Sequence, residues 1–175
     1  MDRGTSLIEL AIVMALLAIL ASLAIPSTRI FYSHNTLKRD AESLACIIEE
    51  ARLKSMKQGI RWRVVFYPSR HMYLAFGDSD WDGIIDDTNE EIEGPFHLFK
   101  GVSFGSNLGL GPNGTSIPSD GVSPIGNRVS FSPMGSCNAG TVYLSLNNMT
   151  CAIRILPATG DIQLWIHRSA WEMLD

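Results

Sequence analysis

From residue 7 to residue 25 the chain is almost unbroken in Leu, Ile, Ala, Val and Met, and Glu9 is its one charge. A run of that length predicts a helix able to cross a bilayer. Past it the pattern narrows. Leu37, Ala41, Leu44, Ile48, Ala51 and Ser55 step by four and three, while Glu42, Glu49, Glu50 and Lys57 fall outside that stripe. This predicts an amphipathic helix packed on a sheet, with Gly59 as its C-cap. Cys46 projects from the opposite face, beside Leu53. Pro26 removes one backbone bond, which predicts a kink or a local melting of the long helix.

At Arg61 the period becomes two. Residues 61–67 and 71–76 predict a hairpin around Pro68-Ser69-Arg70. Further strands are predicted at 96–99, 102–104, 128–132, 141–146, 151–156 and 162–167, with turns at Asn147-Asn148 and Pro157-Ala158-Thr159-Gly160. Residues 106–127 are rich in Gly, Pro, Ser and Asn and read as a long surface loop, either functional or mobile. The expected fold is α+β. A long N-terminal helix, transmembrane in its first half and amphipathic in its second, packs on a C-terminal antiparallel β-sheet domain.

Composition changes little in this picture. The 175 residues suffice for one domain with its own core, and the 46% hydrophobic content is ordinary. A net charge of −4 argues against a general affinity for nucleic acid or an anionic membrane. His34, His71, His97 and His167 are scattered, with no Ser or Cys nucleophile motif and no Gly-rich phosphate loop after a strand. No enzyme chemistry is expected. Cys46, Cys137 and Cys151 match no zinc spacing. Cys137 and Cys151 lie close together in a strand-rich region, and a disulfide between them is expected if the domain faces an oxidising compartment.

One segment carries ligand chemistry. Asp78-Ser79-Asp80-Trp81-Asp82-Gly83-Ile84-Ile85-Asp86-Asp87 matches the first half of an EF-hand-type loop. Asp78, Asp80 and Asp82 take the first, third and fifth places, Gly83 the sixth and Asp86 the ninth, and Ile84 offers a carbonyl. Calcium is the cation that such a ligand set suits. Asn89 stands where a bidentate Glu belongs. Asp, Asn and Gly also build ordinary turns, so an acidic turn is the alternative.

The apolar run is not a good secretory signal. Its n-region is only Met1-Asp2-Arg3-Gly4, and no Ala-x-Ala site ends it. A plain membrane anchor leaves Glu9 unexplained, because a carboxylate at bilayer depth costs about 2.5–3.5 kcal/mol. The residues around it are specific. Gly4-Thr5-Ser6-Leu7-Ile8-Glu9-Leu10 resembles the type IV prepilin signature, Gly-Phe-Thr-Leu-Ile-Glu-Leu, departing from it at Thr5. The resemblance implies a prepilin peptidase that cuts after Gly4 and methylates Thr5. It implies that Glu9 pairs with the N-terminal amine of a neighbouring subunit, two charges that neutralise each other in an apolar filament core. Residues 1–4 would then be the leader and 5–28 the transmembrane and filament-core helix, with Pro26 near its end. Residues 29–175 would form a periplasmic domain, with helix 29–58 and sheet 61–167.

Charge counting leaves orientation open, since Arg3 precedes the run and Arg29, Lys38 and Arg39 follow it. The family implies a cytoplasmic N-terminus, a single pass through the bacterial inner membrane and a domain outside it. The Cys137–Cys151 pairing fits that side. The later segments Ala51-Arg52-Leu53-Lys54-Ser55, Ser130-Phe131-Ser132-Pro133-Met134-Gly135 and Thr159-Gly160-Asp161-Ile162 look like the H-type pseudopilin and FimT/FimU minor pilin group. That narrower resemblance implies a minor pilin or pseudopilin that initiates or caps a type IV pilus or a type II secretion pseudopilus, with other pilins as partners. A DNA-binding minor pilin for uptake is the alternative. That role calls for clustered positive charge at the C-terminal end, where this chain has only Arg154, His167 and Arg168.

Overall fold

The computed structural model describes residues 7–85 and 90–174, and for residues 21–31 the helical backbone alone. The chain divides into two compact units, Met1–Asn35 and Thr36–Asp175. Gly4, Thr5 and Asp86 lie outside the described residues.

The first element, α1, runs Leu7–Gln58, 52 residues in one helix. Its backbone stays helical across Pro26, so the predicted local melting is not observed. A proline removes a single intrahelical bond, which the turns on either side can carry. In the N-terminal unit Leu7, Ile8, Leu10, Val13, Met14, Leu17 and Leu20 are each at least half exposed, so the helix is apolar and open all round. Among the described residues no helix is long and apolar enough to cross a membrane.

In the C-terminal unit the helical stripe is buried as its spacing predicts. Leu37, Ala41, Leu44, Ile48, Ala51 and Ser55 are all fully buried, and Cys46 and Leu53 are exposed. Ser55 shows how a polar residue is tolerated there: its hydroxyl donates to the carbonyls of Arg52 (2.7 Å) and Ser132 (3.0 Å). Gly59 closes the helix at φ 71°, with its N–H on the Ser55 carbonyl at 3.0 Å.

Nine strands follow among the described residues, β1 Arg61–Tyr67, β2 Met72–Asp78, β3 Ile92–His97, β4 Ser103–Phe104, β5 Arg128–Phe131, β6 Gly140–Leu146, β7 Met149–Ile155, β8 Ile162–His167 and β9 Trp171–Leu174. They form two antiparallel sheets rather than the one expected, a 4-stranded sheet in the order β3-β2-β1-β5 and a 5-stranded sheet in the order β4-β6-β7-β8-β9. The chain changes sheet between β3 and β4, across the Lys100-Gly101 turn. One core joins them: Leu44 and Ile48 of the helix cluster with Trp62 and Val64 of the first sheet and Leu144 and Ile153 of the second. Asp40 ties the helix to the β3–β4 connection, where its carboxylate accepts the Phe99 N–H at 2.8 Å.

Three elements differ from expectation for local reasons. β3 starts at Ile92, ahead of the predicted 96, although Gly94-Pro95 reads as a break. It is an edge strand, and Gly94-Pro95 falls where its ladder with β2 shifts register between Tyr73 and Ala75, so the proline stands in a break of the pairing. β9 is too short to show alternation; it extends the second sheet by pairing with β8. The long loop 106–127 is held to the domain. Val122 is buried and bridges to Val142, the Trp171 indole N–H reaches the Leu110 carbonyl at 3.2 Å, and the backbone passes Gly105 so closely at Gly121 that no Cβ fits.

Candidate functional site

The acidic loop begins at the last residue of β2. Asp78 and Arg63 lie on adjacent strands, Arg61 opposite Asp78 and Arg63 opposite Phe76 in the β1–β2 register. Asp78 is fully buried. Arg63, also buried, donates from Nε to Asp78 Oδ2 at 2.6 Å and from Nη2 to the same oxygen at 2.5 Å. The other oxygen, Oδ1, accepts the Gly83 N–H at 3.0 Å, so the loop closes back on its first residue. Within it, Asp82 N–H donates to Asp80 Oδ1 (3.2 Å) and Ile84 N–H to Asp82 Oδ1 (2.7 Å). These are Asx turns, the local bonds for which aspartates are favoured in loops.

Asp78, Asp80 and Asp82 do converge, with one carboxylate oxygen from each lying within 4.8 Å of the others. Ile84 contributes its N–H to the turn, and its side chain is exposed. The cation already in contact with Asp78 is the Arg63 guanidinium. A calcium ion taking Asp78 as its first ligand would share a buried carboxylate with a fixed positive charge, and like charges in a buried place repel strongly. The Arg63 guanidinium offsets the charge of Asp78.

Three arginines gather on the outward face of this sheet. Trp62 and Val64 point into the core, so Arg61 and Arg63, alternating with them, face the other way. Arg128 joins from β5, whose Ser130 pairs with Arg63. Together with Ser130, Ser132 and Ser136 they line an open cleft of about 330 Å³. Arg63 Nη1 reaches Ser130 Oγ at 3.4 Å, and Arg128 Nη1 reaches the Gly83 carbonyl at 3.5 Å. Arg61 stacks over Trp81, 4.4 Å from the ring centre, and Trp81 holds the left-handed conformation at φ 74°. Among the described residues neither Arg61 nor Arg128 has a carboxylate partner. Sequence reading missed this trio because Arg128 is remote in the chain; the Arg-x-Arg spacing at 61 and 63, in a period-two strand, was the visible half of the signal.

The expected disulfide is absent: Cys46, Cys137 and Cys151 are free thiols. Cys151 sits in the core of the second sheet opposite Leu144 and Ile166. Cys137 lies past the far end of β7, its thiol donating to the Leu156 carbonyl at 3.4 Å. At ~3.3 Å per strand residue, that separates the two cysteines by well over the ~7 Å between Cα atoms that a disulfide spans. Nearness in sequence misled, because the chain between them turns back into β6 and reaches Cys151 from the other end. Burial pushes the Cys151 thiol up to about 12 and also raises that of Cys137.

Of the residues expected to assemble a filament, Glu9 is described: it stands in the first turn of α1, exposed, among exposed Leu7, Ile8 and Leu10. No protein-family model matches the chain, and no curated protein does. A search of solved structures finds a likeness to the crystal structure of the type IV minor pilin FimU from Pseudomonas aeruginosa, with 14% sequence identity, a TM-score of 0.49 and coverage of 77% of this chain and 91% of that one.

Proposed function

We propose that this chain is a type IV pilin-like structural subunit, a minor pilin or pseudopilin, held in the bacterial inner membrane and then assembled with other pilins into a filament. The observation that carries the reading is the first part of α1. Its large apolar side chains are exposed on every side and surround a carboxylate at Glu9. A fully buried Leu or Ile side chain is worth about 1.5–3 kcal/mol, so a helix with this many open ones is strongly driven to acquire a cover. Lipid covers it in storage and the helices of neighbouring subunits cover it in a filament. Glu9 distinguishes such a helix from a plain anchor, since an apolar assembly tolerates a carboxylate only beside an opposite charge. The segment from Gly4 to Leu10 supplies both the cut site and that charge, because cleavage after Gly4 leaves an amine at Thr5.

Intact-mass analysis of the protein recovered from filaments tests this. The expected mature species lacks residues 1–4 and carries one added methyl at Thr5. Gly4→Val is expected to leave the precursor uncut in the membrane. A mature protein that keeps Met1, or one cut after Ala24, overturns the reading.

A further inference from the structure

Of the three arginines in the cleft on the outer face of the first sheet, Arg61 and Arg128 belong neither to the buried core nor to α1. We infer that the cleft binds a small oxyanion, a phosphate or carboxylate group presented by a soluble ligand. Three guanidinium groups, Arg61, Arg63 and Arg128, and three hydroxyls, Ser130, Ser132 and Ser136, line one cavity of about 330 Å³. No described carboxylate belongs to its lining.

The three arginines differ in what they can offer. Arg63 is committed to Asp78 and acts as a fixed, neutralised wall. Arg61 and Arg128 have no carboxylate partner among the described residues, so an anion between them gains two charge-assisted contacts without breaking any ion pair among those residues. Both are positioned beforehand. Arg61 is laid over the Trp81 ring, and Arg128 is aimed at the Gly83 carbonyl. Guanidinium groups held this way lose less freedom on binding than free surface arginines do. The serines add donors at the cleft's edge, where Ser132 and Ser136 meet at 2.8 Å between their hydroxyls. The room suits a single anionic group and a short carrier. Asp80 and Asp82 lie in the adjoining loop, and their field weakens binding, so affinity should fall near the millimolar range, on the order of 10⁻³ M.

The test uses the full chain in a neutral detergent. Inorganic phosphate and, separately, succinate are titrated while the melting temperature is followed, with sodium chloride at matched ionic strength as the control. A saturable rise beyond chloride is expected for at least one anion, and the pair of titrations shows whether phosphate or carboxylate is preferred. In Arg61→Gln/Arg128→Gln the apparent dissociation constant should rise by about tenfold or more while the anion-free melt stays close to wild type. Should that double variant not fold, Ser130→Asp serves instead. It places a carboxylate in the cleft, so the anion response should vanish while the anion-free melt rises. Responses to phosphate and succinate no different from chloride overturn the inference, as does a saturable response that persists unchanged in either variant.

Discussion

Arg63 and Asp78, on neighbouring strands, form a buried ion pair in which Nε and Nη2 both reach Asp78 Oδ2, while Asp78 Oδ1 holds the Gly83 N–H at 3.0 Å. One carboxylate thus joins the sheet to the loop after it. Gly83 fits because it holds φ 78° and because a Cβ there would meet Arg63 Cζ at 2.9 Å. The loop's acidic character and the sheet's arginines belong to one arrangement.

Removing one partner of this pair should cost far more than removing both. Arg63→Leu leaves Asp78 buried and uncompensated and is expected to destabilise by about 3–5 kcal/mol. Arg63→Leu/Asp78→Leu should recover much of that loss, which chemical denaturation of the single and double variants measures. In the same assay millimolar calcium should leave the wild-type melt unchanged, because Arg63 already occupies the first ligand. A calcium-dependent rise that Asp80→Asn/Asp82→Asn abolishes would instead make the loop a metal site.

The thiols should separate by reactivity. Cys46 is exposed and should react with an alkylating reagent at once, Cys137 more slowly, and Cys151 only on unfolding, because it is buried and its thiol is pushed up to about 12. Peptide mapping without reductant should find all three free. A bridge between Cys137 and Cys151 would require a different path for the chain from β5 to β7.

Glu9 should govern assembly and not folding. Glu9→Leu makes the helix more apolar, so membrane association should persist while incorporation into filaments falls. The domain melt should not move, since Glu9 belongs to the other compact unit. Incorporation equal to wild type would show that charge pairing does not set the register of this subunit.

The helix and most strands were legible because each has a single strong period. The stripe from Leu37 to Ser55 and the alternation from Arg61 to Tyr67 appear in the structure as read. What stayed hidden depends on long-range placement. Nothing local says that Ser103–Phe104 pairs with β6 and so begins a second sheet, or that Gly94-Pro95 is tolerated because β3 lies at an edge. The acidic loop shows the limit most sharply. Its ligand pattern was visible, but the residue that neutralises Asp78 comes from the preceding strand, and sequence spacing does not report a partner across a ladder.

Asp40 should give the domain a pH response of unusual sign. Burial raises its pKa from 3.8, opposed in part by the Phe99 N–H and by Arg39. A carboxyl whose pKa is higher folded than unfolded contributes stability that is fully present below the unfolded value and is lost as pH rises through the folded value. Glu91 works the other way. Its pKa is lowered by Lys54 and Gln58, so its contribution is lost as pH falls through its folded value. The wild-type curve alone mixes the two effects, and the informative quantity is the difference between wild type and Asp40→Asn. Asn keeps an oxygen that can accept the Phe99 N–H and never ionises. The variant should therefore gain on wild type as pH rises from about 3.8, then hold a constant lead once Asp40 is fully charged. Melting temperatures of both proteins from pH 3 to pH 8 measure this. A difference that does not change with pH would mean that Asp40 ionises as easily in the folded domain as in the unfolded chain.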